Sequence, residues 1–192
     1  PVLGLKERNA RNRFVLPEGL VLANFCEATP GGTLSERAFT LVKLGWEDVE
    51  WLRARTSLPL LLKGILHPED AAEALARGAD GIFVSNHGGR QLGGVMASID
   101  AVAPVVEIVD GRVPVLMDGG IQRGEDILRA LAGGASAVGL GRPPLWGLAV
   151  AGEIGVREIL TLLREDLARV LALCGCANPQ DVSARLIRIV AS

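Results

Sequence analysis

Gly81-Ile82-Phe83-Val84-Ser85-Asn86-His87-Gly88-Gly89-Arg90 begins as a short apolar run and ends in a cluster of chemistry-bearing residues. An apolar run of this length, bounded by glycine-rich turn signals, is the pattern of a strand buried on both faces. Three further runs share it, at 58–62, 113–117 and 137–140. Stretches of helical periodicity follow them, at 68–77, 98–109, 124–132 and 156–174. Pro68 suits a first helical turn, and Glu69 and Asp70 are well placed against the helix dipole. Gly78, and Gly133 with Gly134, fall where left-handed helix ends are expected. Apolar strands alternating with amphipathic helices predict an α/β fold with a parallel sheet covered by helices.

Periodicity alone allows either an open doubly wound sheet or part of a closed (β/α)₈ TIM barrel. The placement of reactive residues separates them. Lys63, the segment from Ser85 to Arg90, Asp118-Gly119-Gly120 and Gly141-Arg142 each stand at the end of a predicted strand. Four strand ends contributing to one site favour a barrel mouth. At 192 residues the chain is short of a whole barrel of ~250, and its four strand-helix units make half of one. The chain reads as a single domain with βα units over 58–192 and a loop or lid region over 1–57. Within that region 5–13 is charged and helical in pattern, and Pro30-Gly31-Gly32-Thr33 reads as a loop. A helix is predicted over 46–55, with Trp46 and Val49 in register. A long excursion before the first clear strand is commonly a lid or a binding loop.

Lys63 ends its apolar run, where an ammonium needs an anionic or acceptor partner. A surface lysine that merely ends a strand is the plainer alternative. His87 is one of two histidines, and an imidazole that titrates near neutrality suits proton abstraction. Gly88 and Gly89 allow a tight turn and close ligand approach. Arg90 has the planar fork that grips a carboxylate at two points. Asp118-Gly119-Gly120 and Gly141-Arg142-Pro143 place small residues at consecutive strand ends, which fits a phosphate held by backbone N–H groups, with Arg142 adding charge. His67, before Pro68, suits a capping role. Trp46, Trp51 and Trp146 suit helix packing, with Trp46 or Trp51 as candidates for the entrance.

The net charge of −2, with no basic cluster, argues against nucleic acid or an anionic membrane surface as the main partner. No apolar run is long enough to span a bilayer. No signal peptide or C-terminal address is legible. Cys26, Cys174 and Cys176 are odd in number and lack metal-ligand spacing, so reduced thiols, a cytoplasmic location and no metal site are expected. Cys174 and Cys176, two apart in a predicted helix, fall on different faces.

Several motifs together resemble the FMN-dependent 2-hydroxy-acid oxidase/dehydrogenase family, of the glycolate oxidase and lactate oxidase type. They are Pro1-Val2-Leu3-Gly4, Asn12-Arg13-Phe14, Leu58-Pro59-Leu60-Leu61-Leu62-Lys63-Gly64, Ser85-Asn86-His87-Gly88-Gly89-Arg90-Gln91-Leu92, Asp118-Gly119-Gly120-Ile121 and Leu140-Gly141-Arg142-Pro143. The resemblance spans essentially the whole chain. It implies a (β/α)₈ barrel with FMN at its mouth, of which this chain holds the last four βα units and the loop region before them. It further implies that four strands precede the position of Pro1. On this resemblance Lys63 and Ser85 contact the flavin ring. Asp118, Gly119, Gly120, Ile121, Gln122, Gly141 and Arg142 surround the ribityl chain and phosphate. His87 is the base, and Arg90 clamps the substrate carboxylate. Lys6 stands where the family has a second substrate-binding Arg, and Gln122 where it has a phosphate-region Arg. Gly93 and Met96 replace the family's usual Asp and Pro.

The implied reaction is oxidation of a small (S)-2-hydroxy acid to the 2-oxo acid, with oxygen or another acceptor taking the electrons. A homo-oligomer, a tetramer in the complete protein, is implied as well. Two other readings remain: an inactive half-barrel that acts as an assembly partner, and a different FMN- or phosphate-binding barrel enzyme. His87 with Arg90 favours a carboxylate substrate over the latter.

Overall fold

The computed structural model describes residues 8, 9, 11–13, 17 and 44–187. Arg8, Asn9 and Arg11 have helical backbone, in keeping with the charged stretch read there. Lys6, Cys26 and the 30–33 loop lie outside the described residues. From Trp46 the elements run α1 (Trp46–Arg53), β1 (Leu61–Ile65), α2 (Pro68–Ala76), β2 (Gly81–Val84), α3 (Ser98–Val109), β3 (Val115–Asp118), α4 (Gly124–Ala132), β4 (Ala137–Gly139) and α5 (Arg142–Leu173).

The four strands form one parallel sheet in the order β1-β2-β3-β4. A doubly wound sheet needs a point where the strand order reverses, and this sheet has none. With sequential order and right-handed crossovers, every helix falls on the same face. Alternation along the strands agrees. Ile82, Val84, Val115 and Met117 are fully buried against Ala71, Ala74, Val102, Val105 and Val109 of the helices. Their neighbours Lys63, Phe83, Leu116 and Ala137 point to the other face and are less buried. That is the wall of a (β/α)₈ barrel, seen as four consecutive units.

Two predicted boundaries move. The first strand, expected over 58–62, runs Leu61–Ile65, so Lys63 lies within it rather than after it. Pro59 has no N–H for a ladder, and the Leu60 N–H goes to Asp80 Oδ2 at 2.8 Å. Pairing therefore begins at Leu61 opposite Gly81. The last helix, expected over 156–174, begins at Arg142 and breaks at Ala151 and Gly152. Gly152 has φ +58, and the chain turns there so tightly that a Cβ on Gly147 or Gly155 would collide with the other's carbonyl. The helix ends at Leu173, so Cys174 is its C-cap and Cys176 lies beyond it, rather than both being helical.

Other readings hold in part. His67 caps α2, its Nδ1 accepting the Glu69 N–H at 3.3 Å. Gly78 and Gly134 take left-handed conformations just past α2 and α4, whereas Gly133, expected to share that conformation, stays right-handed at φ −73. Trp46 packs against the core, whereas Trp51, under the Arg55 guanidinium 4.0 Å from its ring centre, and Trp146 are exposed rather than packed between helices as expected.

Asp80 ties the start of β1 to α1. Its Oδ2 accepts from Leu60 N and from Arg53 Nη1, the latter at 2.5 Å. The Leu60 amide chiefly, and the Arg53 guanidinium further, hold the Asp80 carboxyl below its usual range. A folded-state pKa below the unfolded one, about 3.9, adds stability above that value. The gain is lost as pH falls through the folded pKa. Asp80→Ala should lower Tm by about 2–4 °C near neutrality. Melts taken down to about pH 2 should show the gap to wild type closing below about pH 4; a gap independent of pH would contradict this account.

Candidate active site

Lys63 stands on the inner face of β1, opposite Phe83 in register, with its ammonium 5.1 Å from that ring's centre. It donates to Ser85 Oγ at 2.7 Å and pairs with Asp118 Oδ2 at 2.8 Å. One ammonium thus joins residues from three adjacent strands. An exposed pair of this kind contributes about 0–1 kcal/mol. Its value here is geometric, since it sets the Asp118 carboxylate against the ends of β1 and β2. It also supplies the acceptor partner that a strand lysine demands.

His87 follows β2 by three residues and opens a 3-10 turn, His87–Gly89. Its φ is +56, followed by +67 at both Gly88 and Gly89. A left-handed residue with a Cβ costs ~1–2 kcal/mol, and such outliers persist only where surroundings enforce them. Here the enforcement is a set of captured amides. His87 N donates to Ser85 Oγ at 3.1 Å, Asn86 N to Ser98 Oγ at 3.0 Å, and Gly89 N to Asn86 Oδ1 at 3.3 Å. Beneath the imidazole lies Gly64, φ +101, at a register shift between Lys63 and Ile65. A Cβ there would stand 3.0 Å from His87 Cε1. The bulge and the missing side chain together make the seat for the ring.

A cavity of about 400 Å³ opens at the strand ends. Lys63, His87, Arg90, Asp118, Gly119, Gly120, Ile121, Gln122, Gly141 and Arg142 all line it, so ten of the twelve site residues read from the sequence meet at one place. Ser85 lies just beneath, fully buried. Lys6 is outside the described residues. Gly64 and Asn86 stood within the sequence motifs without a role of their own, and Ser98 was not singled out. Gly64 carried a faint signal, a glycine directly after the lysine of a strand, but nothing marked Ser98. The groups of three or more ligating side chains that a metal requires are absent among the described residues.

The chemistry of the lining fits a flavin mononucleotide. Asp118 Oδ1 is buried with no hydrogen-bond partner among the described residues, an acceptor suited to a sugar-chain hydroxyl. A Cβ at Gly120 or Gly141 would meet nothing within 4 Å, so backbone is bare to the cavity at both loops. Arg142 begins α5, has no ion-pair partner among the described residues, and stands at the positive end of the helix dipole, as a phosphate requires. Arg90 has no ion-pair partner among the described residues either, which leaves its fork open for a carboxylate.

Comparison with known proteins agrees with this geometry. The family model described as FMN-dependent dehydrogenase matches residues 1–189. An L-lactate oxidase from a Nostoc species is 48% identical over 98% of this chain and 54% of its own length. The 2-hydroxyacid oxidase 1 of Homo sapiens is 46% identical over the same shares. A mandelate oxidase variant solved with (S)-mandelic acid superposes with TM-score 0.78 at 46% identity, covering 95% of this chain and 50% of that one. The chain thus spans about half the length of the relatives it matches. With a family match over nearly every residue and a shared barrel wall, this chain belongs to the FMN-dependent dehydrogenase family, of which it carries the C-terminal part.

Proposed function

We propose that the protein oxidises a small (S)-2-hydroxy acid, of the lactate or glycolate type, to the corresponding 2-oxo acid. The observation that carries this reading is the convergence of His87, Arg90 and the Lys63–Asp118 pair on one cavity. Arg90 takes the substrate carboxylate in its fork, and Lys6 is a second candidate for that anion. Held there, the substrate presents its hydroxyl-bearing carbon to His87, whose imidazole accepts a proton as the carbon is oxidised. FMN, when bound, supplies the two-electron acceptor. Lys63 and Ser85 are the groups for its ring system. Asp118, Gly119, Gly120, Ile121, Gln122, Gly141 and Arg142 are those for its ribityl chain and phosphate. Oxygen or another acceptor would be the final recipient of the electrons, and a homo-oligomer is the expected assembly. A reducing, cytoplasmic compartment is proposed on the odd number of cysteines in the sequence.

The absorbance spectrum of the purified protein tests the reading. Flavin bands that bleach anaerobically with lactate or glycolate are expected, and a colourless protein that fails to bind added FMN sinks it. His87→Ala should keep FMN and lower turnover by about 10²–10⁴-fold.

The seat of the imidazole yields a second expectation. Gly64→Ala adds a Cβ 3.0 Å from His87 Cε1 and strains a backbone at φ +101. Turnover should fall by about tenfold to a hundredfold, with FMN affinity, read by quenching of flavin fluorescence, changed far less. Equal losses in both would show that Gly64 serves the cradle rather than the base.

A further inference from the structure

Ser98 is 2% exposed and lies twelve residues beyond Asn86, which stands in the loop that follows β2. A serine at a helix start ordinarily caps its own helix. Here the N-cap of α3 is Ala97 with no side-chain cap, and Ser98 is already the first helical residue. Its Oγ instead accepts the Asn86 N–H at 3.0 Å, one residue before His87. The same oxygen faces the loop after β3, since a Cβ on Gly119 would stand 3.0 Å from Ser98 Oγ and 3.2 Å from Asn86 Oδ1. Asn86 then reaches on, its Nδ2 donating to Met96 O at 3.4 Å and its Oδ1 accepting from Gly89 N.

We infer that Ser98 is a positioning residue: its hydroxyl, fixed to the rigid first turn of α3, sets His87 relative to the Asp118-Gly119-Gly120 loop. The inference rests on reading His87 as the base. Ser85 captures the His87 amide from below and Ser98 captures the Asn86 amide from the side, so the left-handed turn is held at two consecutive N–H groups. Loss of the Ser98 hydroxyl leaves the Asn86 N–H without an acceptor. The turn then relaxes away from the strained φ at His87, and the imidazole moves off its seat over Gly64. Threonine keeps the hydroxyl. Alanine removes it, and cysteine keeps the size but accepts poorly.

The histidine count makes the test clean, because His67 and His87 are the only two imidazoles in the chain. Ring ¹³C–¹H spectra of the labelled protein, with and without FMN, give two signals, assigned with His67→Gln. Ser98→Ala should shift and broaden the His87 signal and leave His67, at its separate helix cap, unchanged. Ser98→Thr should restore the wild-type spectrum. If Ser98→Ala does not fold, Ser98→Cys carries the test, with the same shift expected. A His87 signal that superimposes on wild type in either variant overturns the inference, because a merely structural serine lowers Tm without moving the ring. Where hydroxy-acid turnover is measured, kcat should fall about tenfold to a hundredfold in Ser98→Ala and recover in Ser98→Thr. The two readings fail separately. A moved ring in a protein without turnover sinks the oxidase and supports the positioning role; turnover with an unmoved ring does the reverse.

Discussion

The Lys63 ammonium, held between Ser85 Oγ and Asp118 Oδ2, is the contact on which the site's shape depends. It follows from parallel register. Lys63, Phe83 and Leu116 form one row across the inner face, and Ser85 and Asp118 stand two residues farther along their strands on that same face. Two residues of strand advance about 6.6 Å, a span within reach of the lysine's four-carbon stem. A shorter cation, or a register slipped by one residue, would not reach both oxygens. The strand order β1-β2-β3 is therefore a condition of the site as well as of the fold.

From that contact the rest of the mouth is assembled outward. Ser85 accepts from Lys63 and from the His87 amide, so the ammonium and the imidazole share one hydroxyl as their common anchor. Gly64, next to Lys63 in the chain, bulges and leaves room for the ring. The strain at His87, φ +56, is thus offset from two sides by groups whose own positions are set by strands and by α3. Loops positioned by a rigid scaffold are where binding and catalysis concentrate. In this protein the serines supply the link between scaffold and loop.

The alternation of four apolar runs with helical stretches was legible because both faces of the sheet needed apolar side chains, and that pattern survives in any register. The strand limits were less so. The 58–62 run looked complete in itself, yet Pro59 and the capture of the Leu60 amide by Asp80 push the strand three residues on, and that shift moves Lys63 into the sheet. The early start of α5 was hidden because Gly141-Arg142-Pro143 read as the end of the fourth strand, whereas proline is welcome in a first helical turn. The residues that line the cavity were visible as unusual types at strand ends. Ser98 was not, since a serine before a helical stretch looks like any cap, and only three-dimensional packing shows that its hydroxyl serves a different loop.

Charge completes the argument. Three cations, Lys63, Arg90 and Arg142, line the cavity with one carboxylate, Asp118, so these four groups sum to +2. The whole chain is at −2, so the cavity is positive against the background of its own protein. Asp118 is committed to Lys63, which leaves the two guanidinium groups to attract anions. They belong to different strand ends, Arg90 beside His87 and Arg142 at the start of α5. Arg142, in the first turn of a helix, suits a phosphate, and the open fork of Arg90 suits a carboxylate. A ligand set with two separate anionic groups would engage both guanidinium groups, whereas a single charge would engage only one of them and leave the other to water.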